Sequence, residues 1–429
     1  MNGLPEGYHA AEALRNARRY DAAAEQFAMV WQRAPHPMAG WRYALCLRKT
    51  GDLDGAEEVC RDAMACFPAD TYTRRELGWI LYERLFKPAL EKGDLAAAAD
   101  AANQVLEMNP DGLALVQVVH GMMKLGKEKS SWQTVLDWSA RVTPDLLDAK
   151  PSTSGDRKSM PKRAIWYIGR SRALYELKRY AEARELAIAG LAEFPEVVFL
   201  KRTAALALAT SGDLIGGIAE MRSAVTGPGG DWYMKAELAE MLFKAESYAE
   251  SYRVMCDSVS DRRQGLEYKV RYFAILARIA LKLNKPRVAA EHVSLAKAIY
   301  DESGWNLSAD VAQAEREVRG AYDAAGKAWP DLPAASDQLA RLCAEHWRAG
   351  ATEGVQFYAG TVKDYPEGRF FTYIRRDDGA GDVYAVVADM PAECRRPGSQ
   401  VEFAIAASFD RKKGRESVRA VHIRRRESQ

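Results

Sequence analysis

The stretch LKRYAEARELAIAGLAEFPEV (residues 177–197) holds the unit from which most of the chain is built. A polar turn ends at Arg179, Tyr180 opens a run of small residues that includes Ala181 and Ala183, and Pro195 closes it fifteen residues after Tyr180. Each part has a physical task. Small residues let two antiparallel helices approach closely, and the aromatic ring or a Leu fills the groove between them. Pro lacks the backbone N–H that would continue the second helix.

The same punctuation recurs in both directions. Arg19-Tyr20-Asp21-Ala22 closes at Pro35, Gly51-Asp52-Leu53-Asp54 at Pro68, and Gly93-Asp94-Leu95-Ala96 at Pro110. A degenerate copy around Gly126–Trp132 closes at Pro144, and two further copies stand at Gly212-Asp213-Leu214 and Ser247-Tyr248-Ala249. Tyr180, Leu214 and Tyr248 follow one another at steps of 34, and Tyr20 precedes Leu53 by 33. Such a period reads as stacked supersecondary units, because one unit cannot bury its apolar face alone. The step from Leu53 to Leu95 is 42, so extra residues lengthen the first helix of the third unit around Tyr82–Leu90, with a kink expected at Pro88.

These units resemble the tetratricopeptide repeat (TPR) family. The matching residues are Ala11, Tyr20, Ala23, Phe27 and Pro35 in the first unit and Ala44, Gly51, Leu53, Ala56, Ala63 and Pro68 in the second. In the fifth they are Ser171, Tyr180, Ala183 and Pro195. The resemblance covers about seven units and implies a mainly α protein, a right-handed α-solenoid of helical hairpins. Its concave face would take an extended peptide or a partner helix from another protein. Trp41, Tyr43, Trp79, Tyr82, Trp166 and Tyr167 fall on first helices, divided between the packing of helices and that groove.

Two stretches interrupt the pattern. Asp148–Arg163 is rich in Pro, Ser, Lys and Gly and reads as a flexible loop between a first set of repeats, 1–147, and a second set with capping helices, 164–328. After Tyr248 the period loosens, although Leu266–Leu283, Pro286–Tyr300 and Asp310–Ala325 still pattern as amphipathic helices. Residues 329–354 read as a linker, with Trp329-Pro330-Asp331-Leu332-Pro333 followed by a short helix capped at Ser336 and ending at Gly350. Glu345-His346 on that helix reads as surface.

From Val355 the hydrophobic period changes to alternation. Val355–Lys363, Arg369–Arg375, Asp382–Ala388, Gln400–Ala407 and Ser417–Arg424 make five short strands, which suggests a small closed antiparallel barrel over 355–429. The run Gly360-Thr361-Val362-Lys363, the pair Phe371 and Tyr373, the turn Asp377-Asp378-Gly379 and Asp382-Val383-Tyr384 resemble the cold-shock domain, an oligonucleotide-binding (OB) barrel. The resemblance implies binding of single-stranded RNA or DNA, with Phe371, Tyr373 and Tyr384 as stacking rings. Lys363, Arg369 and Arg375 would lie beside them. The tail Arg424, Arg425, Arg426 and the basic loop 411–415 would add a phosphate-contacting rim. Asp364 stands where the pattern has Trp, Val386 where it has His, and Phe370 and Thr372 where it has Gly. A carboxylate at 364 opposes a stacked base, so a barrel devoted to protein contact is the competing reading.

Charge fits this division. Of the 61 Lys+Arg and 59 Asp+Glu, residues 355–429 hold 14 and 11, and the last twenty residues alone hold 8 and 3. Six cysteines without CxxC spacing read as reduced thiols, and no signal-like or membrane-spanning run occurs, so a cytoplasmic place is expected. The histidines are scattered, with no HExxH, and there is no GxxxxGK[ST] or GxGxxG. No enzyme activity, cofactor or metal is therefore expected. The two functional readings are an adaptor joining a protein to single-stranded nucleic acid, and a scaffold or regulatory subunit of a multiprotein complex, for example in bacterial defence or RNA metabolism.

Overall fold

The computed structural model describes residues 4–109, 112–151, 153–154, 157–226, 231–261, 263–410 and 415–426. The chain is mainly helical and ends in a closed five-stranded barrel. It divides into two compact units, 1–194 and 195–429.

The first unit consists of helical hairpins. Their helices are α1 (Tyr8–Asn16), α2 (Tyr20–Arg33), α3 (Pro37–Thr50), α4 (Leu53–Cys66), α5 (Thr71–Leu81), α6 (Lys87–Lys92), α7 (Leu95–Met108), α8 (Gly112–Glu128), α9 (Trp132–Ser139), α10 (Lys162–Glu176) and α11 (Tyr180–Glu193). Helices α5 and α6 are one first helix joined by a π-helical segment, Tyr82–Phe86. Where the sequence leads one to expect a kink at Pro88, the structure has a π turn: the Lys87 N–H donates to the Tyr82 carbonyl, five residues back, just before Pro88 removes a donor from the ladder. Within 148–163, part of which lies outside the described residues, Thr153–Ser154 pairs with Arg157–Lys158, so the segment is not wholly irregular.

In the second unit α12 (Val198–Thr210) pairs with α13 (Leu214–Thr226), α14 (Trp232–Lys244) with α15 (Tyr248–Val259), and α16 (Val270–Lys282) with α17 (Pro286–Ser303). Helices α18 (Ala309–Ala324) and α19 (Ser336–Thr352) follow. Among the described residues there are thus eight hairpins, the seven punctuated copies and a last one formed by two of the amphipathic helices read after Tyr248.

The turn inside every hairpin is the same. Arg18, Gly51, Gly93, Ser130, Lys178, Gly212, Glu246 and Asn284 all have left-handed φ, and each lies two residues before its second helix. The next residue's N–H donates five residues back: Asp52 to Leu47, Ser131 to Gly126, Arg179 to Leu174, Ser247 to Leu242. This is the Schellman closure, which satisfies carbonyls that the helix end would orphan. Gly212, at φ 116°, sits where a side chain would clash with its own backbone.

Arginine–glutamate pairs tie successive first helices together. Arg42 meets Glu12 at 3.0 Å, and Arg48 meets Glu76 at 2.6 Å and Glu83 at 2.7 Å. In the second unit Arg202 bonds Glu237 at 2.6 Å and Arg271 meets Glu240 at 2.8 Å, while Arg278 ties α16 to α18 through Glu317 at 2.8 Å.

Helix α19 is packed into the core of α15 to α18 through Leu339, Cys343, Trp347 and Ala351. Trp347 stacks on Phe273 at 5.5 Å, and its indole N–H donates to His292 Nε2 at 2.8 Å. Indole can only donate, so His292 carries its proton on Nδ1, which bonds the Val288 carbonyl at 2.7 Å. His346 is not a free surface residue: its Nε2 lies 2.6 Å from the buried Glu291. Ser336 begins α19 rather than capping it, and its backbone N–H donates to Glu302 at 2.7 Å.

The barrel strands are β1 (Phe357–Val362), β2 (Phe371–Arg376), β3 (Asp382–Val386), β4 (Gln400–Asp410) and β5 (Arg415–Arg425), closed in the order β1-β2-β3-β5-β4. All pairs are antiparallel except β3 with β5, which is parallel. Five is odd, so directions cannot alternate all the way round a closed barrel. Val362, Ile374, Val383, Ala385, Val401 and Phe403 fill the inside. Gly360 is required there, because a Cβ would meet the Arg375 carbonyl oxygen at 2.5 Å. A register shift between Glu402 and Ala404, with left-handed His422 on β5, brings the His422 Nε2 within 3.7 Å of Asp257 on α15, which also bonds Lys235 at 2.5 Å.

Candidate nucleic-acid interface

Strand alternation decides what the barrel presents. On β2, Thr372 and Ile374 are buried, so Phe371, Tyr373 and Arg375 share the outer face; on β3, Val383 and Ala385 are buried and Tyr384 faces outward. Tyr373 and Tyr384 are direct register partners. The three rings form one cluster, with centroids 5.5 Å (Phe371–Tyr384), 6.1 Å (Phe371–Tyr373) and 6.1 Å (Tyr373–Tyr384) apart. Tyr373 is 42% exposed. These are edge-to-face and tilted contacts, which fix the rings in place while leaving part of each to solvent.

The guanidinium of Arg369 lies 4.2 Å from the Phe371 centroid, so it covers one face of that ring and offers its own plane in exchange. Lys363 is drawn to Asp382 at 2.6 Å. Beside the cluster, Phe370 is 86% exposed, the most exposed large apolar side chain among those described. It stands where the sequence pattern has a glycine, and its role is not written in the alternation of β2, because it precedes that strand.

The tail arginines lie elsewhere. Arg424 is paired across to Glu402 at 2.8 Å and covers the Phe357 ring at 4.2 Å, on the β1–β4–β5 side. Arg426 meets Asp377 at 2.8 Å, and Arg425 is exposed. The rim expected from 411–414 lies outside the described residues. Lys363, Arg369, Phe371, Tyr373 and Tyr384 are therefore brought together, and Arg424 to Arg426 are set apart from them.

Other titratable groups serve packing. Burial pushes the Cys46 and Cys256 thiols up to about 12, and the Cys60 and Cys343 thiols upward as well, which removes the thiolate a nucleophile needs. Burial pushes His292 down to about 4. Burial also raises the Glu291 carboxyl, but bonds from His346 and Arg287 outweigh it and hold the group below its usual value. A recess lined by Asp54, Glu57, Glu58, Arg61, Asp62 and Arg84 is an ion-pair network, with Arg84 bound to Asp54 at 2.7 Å and Arg61 to Glu57 at 2.5 Å. Among the described residues no group of three His, Cys, Asp or Glu side chains is arranged to hold a metal ion. No helix among them is long and apolar enough to cross a membrane.

Residues 8–71, spanning the first two hairpins, match the sequence profile of the tetratricopeptide repeat family. Solved structures similar to this chain include the APC/C hetero-tetramer Cut9–Hcn1, at 14% identity, over 74% of this chain and 57% of that one, with a TM-score of 0.39. The human IFIT1 dimer with PPP-AAAA is similar at 14% identity, over 79% and 80% of the two chains, TM-score 0.37. YrrB, a TPR protein with an unusual peptide-binding site, is similar at 12% identity over 47% and 92%, TM-score 0.31. No curated protein matches the sequence.

Proposed function

We propose that the chain is a non-enzymatic cytoplasmic adaptor whose hairpins hold a protein partner and whose residues 355–429 bind single-stranded nucleic acid. The observation that carries the second half is the Phe371–Tyr373–Tyr384 cluster with Arg369 laid over it. Bases of any identity stack on such rings, and the guanidinium supplies both a plane and a charge. The strand order, with the rings on β2 and β3, supports reading the barrel as an OB-type, cold-shock-like fold, whose ligands lie over those strands. The six unbridged cysteines support a reducing compartment.

Phe371→Ala should weaken binding of a labelled single-stranded oligonucleotide by about 1–3 kcal/mol for the lost stack. Fluorescence anisotropy with the full chain measures this. Unchanged affinity would sink the assignment. One observation favours the scaffold reading instead: Lys363, Arg424 and Arg426 are each neutralised by a carboxylate of the barrel itself.

A further inference from the structure

The parallel pairing that closes the barrel carries the site one strand further than the sequence pattern reaches. Tyr373 is the register partner of Tyr384, and Tyr384 in turn is the register partner of Arg419 on β5. Cross-strand partners point to the same face, at about 4.8 Å per strand step. A single row therefore runs ring, ring, guanidinium across β2, β3 and β5.

Arg419 is half-buried, and among the described residues its guanidinium has no carboxylate partner. Its neighbours on the barrel are committed: Lys363 to Asp382, Arg376 to Asp378, Arg424 to Glu402 and Arg426 to Asp377. An arginine left unpaired beside two tyrosines keeps five N–H donors in a planar fork that fits a phosphate in two-point fashion. Arg375, also without a carboxylate partner among the described residues, faces outward on β2 two residues beyond Tyr373. Two cations thus stand beside the rings, Arg375 along β2 and Arg419 across on β5.

We propose that Arg419 is a phosphate-binding residue of the nucleic-acid site, so that a single strand crosses the barrel from β2 over β3 to β5, its bases on Tyr373 and Tyr384 and a phosphate on Arg419. This rests on the nucleic-acid reading above and assigns its route and a contact that reading lacks. The order of groups matters: stacking on the two tyrosines leaves the sugar–phosphate chain free to reach the neighbouring strand, where the only outward group in the row is the guanidinium.

The test uses the full chain and two labelled probes, oligo-dU and oligo-rU, titrated across a salt series. Arg419→Gln should weaken binding about tenfold, the loss of one charged hydrogen-bonding contact. It should also lower the slope of log affinity against log salt by about 0.7. Arg419→Lys keeps the charge and should keep the slope while losing part of the affinity. Arg341→Gln, which removes an exposed arginine of α19, should change neither. The effect should appear with both probes, since the phosphate is common to them; a slope change confined to one would overturn the phosphate contact. If Phe371→Ala weakens binding while Arg419→Gln leaves affinity and slope untouched, the route is wrong and the nucleic-acid reading stands. If the unaltered chain ignores both probes at low salt, both fall together.

Discussion

Arg48, in the helical hairpins, and Arg419, on the barrel, carry the same guanidinium into opposite surroundings. Arg48 is nearly buried, its side chain 9% exposed, and it is held by Glu76, itself 7% exposed, and by Glu83. Burial raises the Glu76 carboxyl further than Arg48 lowers it, so the pair is one the fold must keep complete. Arg419 stands in a row with two tyrosines and no carboxylate among the described residues. In the hairpins, polar groups are consumed in joining one repeat to the next. On the outer face of β2, β3 and β5, Arg375 and Arg419 are left for something else. Composition cannot make this distinction, because it depends on partners and not on residue type.

The largest effect should come from breaking the committed side. Arg48→Ala leaves Glu76 buried without its cation and should cost about 3–5 kcal/mol of the first unit's stability. Denaturant titration followed by helical circular dichroism measures it. A loss of the size seen for an exposed pair, about 0–1 kcal/mol, would erase the contrast.

His292 tests whether a neutral group is committed in the same sense. Both of its nitrogens are used, and its folded value of about 4 lies below the ordinary 6.5. The unfolded chain therefore binds more protons between those values. The contribution is fully present above about pH 6.5 and is lost as pH falls toward 4, by about 3 kcal/mol in total. His292→Gln can still accept the Trp347 N–H and should flatten this acid limb of the stability profile. An unchanged limb would assign the pH dependence to other groups.

A smaller change of opposite sign should come from the turns. Glu246 holds a left-handed φ of 59° at a position where Gly51, Gly93 and Gly212 stand in other hairpins. Glu246→Gly should raise stability by about 0.5–1 kcal/mol, by relieving the backbone at some cost in chain entropy. Thermal melts of the two proteins decide it, and a loss would mean the glutamate side chain contributes more than its backbone costs.

Much of the fold was legible because it is written at short range. Tyr180, Leu214 and Tyr248 are spaced by the length of a hairpin, and the switch to alternation near Val355 marks the barrel. The last hairpin was less plain because Pro286 opens its second helix where the other units have Tyr, Leu or Trp, while the Schellman bonds at Asn284 are made by backbone, which any residue supplies. The ring cluster was legible because β2 and β3 are consecutive strands joined by a tight turn. Arg419 was not, because β3 and β5 are neighbours only after the barrel closes. The bond between His346 and Glu291 spans 55 residues and leaves no periodic trace.

The closure itself has a consequence for how the barrel breathes. β4 and β5 are zipped by a long ladder from Val401↔Arg425 to Asp410↔Arg415, whereas β3 and β5 meet at the single rung Tyr384↔Arg419. The barrel is thus a rolled ribbon with one lightly stitched seam, and its slowest and fastest amide exchange should lie on the two sides of the same strand. A ligand seated on Tyr384 and Arg419 together would act as a clasp over that seam. Occupancy would then be felt as stiffness of the whole barrel, transmitted through a gap in its hydrogen bonding instead of through its core.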